Sequence, residues 1–70
     1  MNEIQTKLFK ANQRNVRTGG VVYRIIAHTI GGKLLAEAEN TRTGERTNLL
    51  TSRSPLTMGI RNLVNLNLFV

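Results

Sequence analysis

The chain has 70 residues, with ten Lys and Arg against four Asp and Glu, and a formal net charge of +6. This length predicts one domain with little room for a catalytic cleft, and the absence of cysteine excludes disulfides, thiolate metal sites and cysteine nucleophiles. One histidine and no aspartate leave too few groups for a catalytic triad or a metal cluster, so we expect no enzyme activity, metal or cofactor.

Residues 1 to 20 form the basic amino-terminal part of the chain, and two structures fit it. The alternation in EIQTKLF favours a strand followed by a loop. Ile4, Leu8 and Ala11 also follow helical spacing, with Asn2 as an N-cap. The strand is the preferred interpretation and the helix is the alternative.

Residues 21 to 51 carry the clearest strand pattern, and they are predicted to form the β core. GGVVYRIIAHTIGG is a β-branched run between two glycine pairs, which predicts a long strand with a hairpin at its end. The alternation in KLLAEAEN predicts the next strand. TRTGERTNLL then predicts a turn and an antiparallel return, so that Glu37 and Glu39 would face Arg46 or Arg42.

Two structures also fit the carboxyl-terminal part. Ser54 before Pro55 predicts a helix N-cap and a short helical turn over residues 54 to 59. The alternation in NLVNLNLFV then predicts a closing strand over residues 62 to 70. A longer helix from Pro55 to Asn65 is the competing interpretation, because the apolar residues of this stretch also fit helical spacing.

Together these elements predict a mainly β single domain over residues 1 to 70. Their order resembles a small five-stranded antiparallel barrel of the Src-homology or Sm type, with one short helical turn before the last strand. Closure of such a barrel would remove most exposed strand edges. The alternative is an α+β fold, in which an amino-terminal helix packs on a three- to four-stranded antiparallel sheet. No family signature accompanies the topology.

The positive charge indicates the class of function. A field of this sign attracts polyanions, so we expect a protein that binds nucleic acid, DNA or RNA, mainly through phosphates and with low sequence specificity. Tyr23 is the candidate stacking aromatic, although a core position on the long strand would also explain it. The cations predicted to contact the nucleic acid or partner are Lys7, Lys10, Arg14, Arg17, Arg24 and Lys33.

The alternative function is that of a small viral or phage-type inhibitor or assembly protein that binds a larger acidic protein. No small-molecule substrate is expected. The sequence has neither a signal-peptide pattern nor an apolar run of about 18 residues, so we expect a cytoplasmic protein without a membrane partner. Its small size is compatible with a homo-oligomer. Phe69 breaks the alternation of the predicted last strand, and we expect it to cover a barrel end or to contact a second subunit.

Overall fold

The computed structural model describes residues 1–70, and in it two helices cover one face of a four-stranded antiparallel sheet. The strands follow one another in the sheet in chain order, so the first and last strands are its open edges. The predicted five-stranded barrel is therefore wrong, and the fold is consistent with the α+β alternative. In chain order the elements are α1 (Glu3–Lys10), β1 (Asn15–Thr18), β2 (Val21–Ile30), β3 (Lys33–Asn40), β4 (Arg46–Asn48) and α2 (Pro55–Asn65).

Helix α1 begins with a capping box. Asn2 Oδ1 accepts a hydrogen bond from the Gln5 N–H at 2.9 Å, and Gln5 Oε1 accepts one from the Asn2 N–H at 3.2 Å. These bonds satisfy two of the N–H groups that a helix leaves free at its start. Leu8 is buried and Ile4 packs against the core. The strand predicted for this segment is wrong, because the cap and the helical spacing outweigh a short alternation.

The hairpin between β2 and β3 supplies most of the sheet's buried face. Ile25 pairs with Ala38 and Ala27 pairs with Ala36, and all four residues are buried on the side of the helices. On each strand the two buried residues are two positions apart, as expected when alternate side chains of a strand point to the same face. The predicted strands are therefore confirmed. The glycine pair that connects these two strands, Gly31 and Gly32, has a positive φ at both positions, as a tight two-residue hairpin turn requires. The return of the chain through β4 is also confirmed.

Helix α2 starts at the predicted cap and is longer than the single turn predicted from it. Ser54 Oγ accepts a hydrogen bond from the Thr57 N–H at 3.2 Å, and Pro55 occupies the first turn. The helix continues to Asn65. The missing N–H of proline costs nothing at this position, because the first amides of a helix have no partner within the helix.

The predicted helical turn over residues 54 to 59 is therefore too short, and the prediction of a closing strand over residues 62 to 70 is wrong. Ile60 and Val64 are one helical turn apart, and both are buried in the core. Gly59 lies inside the helix and does not end it. The competing interpretation, a helix to Asn65, is right because this apolar face packs on the sheet.

Residues 66 to 70 leave the helix through a Schellman motif and run to the edge of the sheet. Asn67 has a positive φ of 58°, the Asn67 N–H donates to Val64 O at 3.0 Å, and the Leu68 N–H donates to Leu63 O at 2.9 Å. The Val70 N–H then donates to Asn15 O of β1 at 2.8 Å. This single bond forms no fifth strand. The apolar side chains predicted to be buried on such a strand are exposed instead: Leu66, Leu68 and Val70.

Neither helix combines the length and the apolar character needed to cross a membrane.

Gly59 provides a test of the helical assignment. An added Cβ would meet no atom within 4 Å, so Gly59→Ala should raise the free energy of unfolding. The expected gain is about 0.5–1 kcal/mol from helix propensity and reduced unfolded-state entropy. Gly32→Ala is the matched control, because its surroundings are equally open but its φ is +79°. That variant should lose about 1–2 kcal/mol. Urea denaturation measures both, and a loss in Gly59→Ala would contradict the helix.

A second pair of variants distinguishes the helix from the closing strand. Val64 is 3% exposed whereas Leu66 is 56% exposed, although a strand would place both on one face. Val64→Ala should lower the free energy of unfolding by about 2 kcal/mol, through lost burial and a residual cavity. Leu66→Ala should change it by less than about 0.5 kcal/mol. Equal losses in the two denaturation curves would favour the strand.

Candidate functional site

Three of the predicted cations line one cleft between the helices and the carboxyl-terminal tail. This cleft has a volume of about 220 Å³, and its lining includes no carboxylate. It is called the basic cleft below, and its lining residues are Lys7, Lys10, Ala11, Arg14, Val64, Asn65, Asn67 and Phe69.

The fold brings these cations together through one helical turn and a reversal of the chain. Lys7 and Lys10 are three residues apart on α1 and therefore lie on the same side of the helix. Gln13 has a φ of 68°, which turns the chain back towards β2. There the Gln13 N–H donates to Ile25 O and the Ile25 N–H donates to Arg14 O, each at 2.8 Å. The backbone of Arg14 is thus fixed by the central hairpin.

Lys7 also joins the two helices. Its Nζ donates to the Asn65 backbone oxygen at 3.2 Å and to Asn65 Oδ1 at 2.9 Å, and it lies 3.5 Å from Glu3 Oε1. The carbonyl end of a helix carries a partial negative charge that favours a nearby cation. Lys7 therefore stabilises the end of α2, and much of its hydrogen-bonding capacity is used within the protein.

Arg14 stacks on an aromatic ring at the basic cleft. Its guanidinium carbon lies 3.8 Å from the centre of the Phe69 ring. The side chain is exposed, takes part in no ion pair and donates no hydrogen bond within the protein. Its five N–H donors are therefore free for a ligand. The barrel-end role expected for Phe69 is wrong because no barrel forms; its ring instead stacks with Arg14 and packs against the core.

Lys10 is the remaining cation of the basic cleft. It is exposed and has no carboxylate within ion-pair distance. Lys10 and Arg14 are thus two cations of the basic cleft without a carboxylate partner. They lie close to Lys7, whose charge is partly compensated. Like charges held together lower stability unless an anion neutralises them.

The other predicted cations lie elsewhere. Arg17 and Arg24 occupy the positions of β1 and β2 that alternate with the buried ones, so they lie on the sheet face away from the helices. The Arg24 guanidinium is hydrogen-bonded to Glu39, whose other oxygen lies 3.6 Å from Arg46 Nε. Lys33 is exposed at the start of β3. Helix α1 ends at Lys10, so Arg14 and Arg17 lie beyond it.

Tyr23 is 8% exposed and belongs to the core on the helix side of the sheet. Its position agrees with the core interpretation and leaves little of its ring available for stacking. Phe69 is the aromatic residue at the basic cleft instead. The sequence offered one signal for it, the interrupted alternation near the end of the chain.

The sheet face away from the helices carries an apolar strip. Ile30 is 60% exposed and Leu35 is 42% exposed, and Val22 and Ile26 lie partly buried on the same face. Neither helix covers these side chains. This surface, together with the Arg24 ion pair, is called the open sheet face below.

No known protein-family model, curated protein or solved structure matches this chain. The function is therefore inferred from the charges and geometry of these two surfaces.

Lys7 and Lys10 offer a test of the different roles that the structure gives them. Lys7→Met removes the donor to the end of α2, so it should lower the free energy of unfolding by about 1 kcal/mol. Lys10→Met, on the same helix, should change it by less than about 0.5 kcal/mol. Thermal denaturation at low salt measures both variants, and equal effects would mean that the Lys7–Asn65 contact contributes nothing specific.

Proposed function

We propose that the protein binds nucleic acid, DNA or RNA, at the basic cleft. The observation that carries this proposal is the presence of Lys10 and Arg14, both without an ion-pair partner, in a cleft lined by no carboxylate. A polyanion would neutralise these charges and relieve their mutual repulsion. The formal net charge of +6 favours its approach from a distance.

Phosphate is the group that these side chains suit best. The planar Arg14 guanidinium can donate two parallel hydrogen bonds to phosphate oxygens, and its stacking on Phe69 limits the freedom lost on binding. Lys10 adds a point charge with three donors. Lys7 contributes mainly to the field, because Asn65 already accepts hydrogen bonds from its ammonium group.

Low sequence specificity follows from the same lining. Only the amide groups of Asn65 and Asn67 are neutral polar side chains there, and phosphate contacts carry no sequence information by themselves. Arg17 and Lys33 are exposed and unpaired, so they add to the attraction of polyanions from the other side of the molecule. Arg24 contributes little to this attraction, since Glu39 compensates its charge.

The dependence of affinity on salt tests the proposal. Binding of a generic labelled oligonucleotide should weaken steeply from low to physiological salt, because each phosphate contact releases counterions. Lys10→Gln combined with Arg14→Gln should lower the slope of log affinity against log salt by roughly 1.4 to 1.8, since each phosphate that is no longer neutralised removes about 0.7–0.9. Fluorescence anisotropy over a salt series measures both slopes.

Arg42→Gln with Arg53→Gln is the matched control for this experiment. It removes the same charge from two exposed, unpaired positions outside the basic cleft. Its slope should stay close to that of the unchanged protein. Equal decreases in the two double variants would mean that net charge alone attracts the oligonucleotide. Tight binding that ignores salt would contradict the phosphate mechanism.

The second candidate function is binding to a larger acidic protein, as a viral or phage-type inhibitor or assembly protein would do. The exposed Ile30 and Leu35 on the open sheet face favour it, because an apolar strip beside exposed cations suits a protein surface better than a phosphate chain. Such a complex would survive nuclease treatment and would be disrupted by Leu35→Ser but not by Lys10→Gln. A complex of this kind, without any oligonucleotide binding, would replace the first proposal.

A further inference from the structure

We infer that the nucleic acid held in the basic cleft is single-stranded and that one unpaired base stacks on the Arg14 guanidinium, which in turn stacks on Phe69. This inference rests on the proposed function and specifies its ligand. The three layers would be, in order, the base, the Arg14 guanidinium and the Phe69 ring. The phosphate attached to that nucleotide would lie close to Lys10.

Both members of the stack are held by backbone hydrogen bonds on either side. Arg14 O accepts from the Ile25 N–H at 2.8 Å, and the Arg14 N–H donates to Ala11 O at 2.9 Å. Around Phe69, the Leu68 N–H donates to Leu63 O and the Val70 N–H donates to Asn15 O. The guanidinium and the ring are therefore brought together by the fold, so little order has to be gained when a base arrives.

The chemistry of the stack suits a base rather than a second phosphate. Phe69 lies on one side of the guanidinium at 3.8 Å, and Arg14 is an exposed residue, so the proposed base stacks on the side away from Phe69. Planar guanidinium groups stack on aromatic faces, and every nucleobase has such a face. Because all bases share this property, the stack adds affinity without sequence preference, in keeping with the low specificity proposed.

A duplex does not offer the required face. The bases inside a double helix are covered on both sides by their neighbours, so they reach a protein aromatic or arginine plane only when unpaired. The basic cleft, at about 220 Å³, is also smaller than the roughly 300–1,000 Å³ of pockets for drug-sized ligands. This small volume suits one base better than a base pair. The Asn65 and Asn67 side chains line the same space; the Asn67 amide can bond to the edge of that base, whereas Asn65 Oδ1 already accepts from Lys7.

The experiment compares three labelled ligands of equal length by fluorescence anisotropy at low salt: a single-stranded oligonucleotide, its fully abasic counterpart and the duplex. The abasic strand keeps the phosphates and lacks the bases. The unchanged protein should bind the base-bearing strand roughly 5- to 150-fold more tightly than the abasic strand, as one stacked base predicts. The duplex should show no such advantage over the abasic strand.

Two variants locate the effect in the stack. Phe69→Leu removes the ring but keeps an apolar side chain, and Arg14→Lys keeps the charge but removes the plane. Each should reduce the advantage of the base-bearing strand over the abasic strand to about twofold or less. Phe9→Leu changes an exposed aromatic residue outside the basic cleft and should leave the advantage unchanged. Thermal denaturation confirms that each variant is folded.

Failure of the inference and failure of the proposed function give different results. Equal, salt-dependent binding of base-bearing and abasic strands would overturn the stacking inference and leave phosphate binding intact. Tighter binding of the duplex than of the single strand would also overturn it. An advantage that persists in both Phe69→Leu and Arg14→Lys would place the base elsewhere and overturn this site. Binding of none of the three ligands would overturn the proposed function as well.

Discussion

The structure depends on burying one face of a four-stranded sheet beneath two short helices. Helices of 8 and 11 residues are marginal alone, and a meander of short strands is no more stable without a covered face. Each layer therefore requires the other, although only 12 of the 70 residues are buried. Small side chains at Ala27, Ala36 and Ala38 let the helices approach the sheet closely. The larger Leu8 and Ile60 then complete the core from the helix side.

The basic cleft is a consequence of this packing. Once α1 and α2 lie side by side on the sheet, the chain between α1 and β1 has to turn back sharply, and Arg14 returns close to the helix it has just left. The end of α2 approaches from the other side, and the contact from Lys7 to Asn65 joins the two helices there. Lys10 and Arg14 gain no such partner. The core does not require their charges, and the proposed binding of a polyanion rests on this lack of counter-charges.

Short patterns in the sequence predicted the parts of the fold that depend on interactions between residues close together in the chain. The glycine pairs and the alternation of β2 and β3 gave the central hairpin, because a two-residue turn fixes the register of its strands. The caps at Asn2 and Ser54 were also predicted, but the residue pattern did not decide between one helical turn after Ser54 and a helix that continues to Asn65. Asn67 accounts for the main error: it ends α2 in a left-handed conformation, and its place between leucines imitates the alternation of a strand. The site was only partly predictable for a related reason. The positive charge indicated Lys7, Lys10 and Arg14 as candidates, whereas the meeting of distant segments at the basic cleft is set by tertiary packing.

The two sides of the molecule differ in their exposed apolar surface, and this difference separates the two proposed modes of binding. On the open sheet face, Arg24 and Arg46 surround Glu39, whereas Arg17 and Lys33 have no ion-pair partner, and Lys33 lies opposite the exposed Ile30. Exposed apolar side chains beside cations suit an acidic protein better than a phosphate chain. On the helix side, Lys10 and Arg14 of the basic cleft have no ion-pair partner, whereas Lys7 lies 3.5 Å from Glu3 Oε1. A nucleic acid bound there would leave the open sheet face uncovered, so the two modes of binding do not compete for the same residues. The proposed single strand and the proposed protein partner would therefore bind to opposite faces of the molecule.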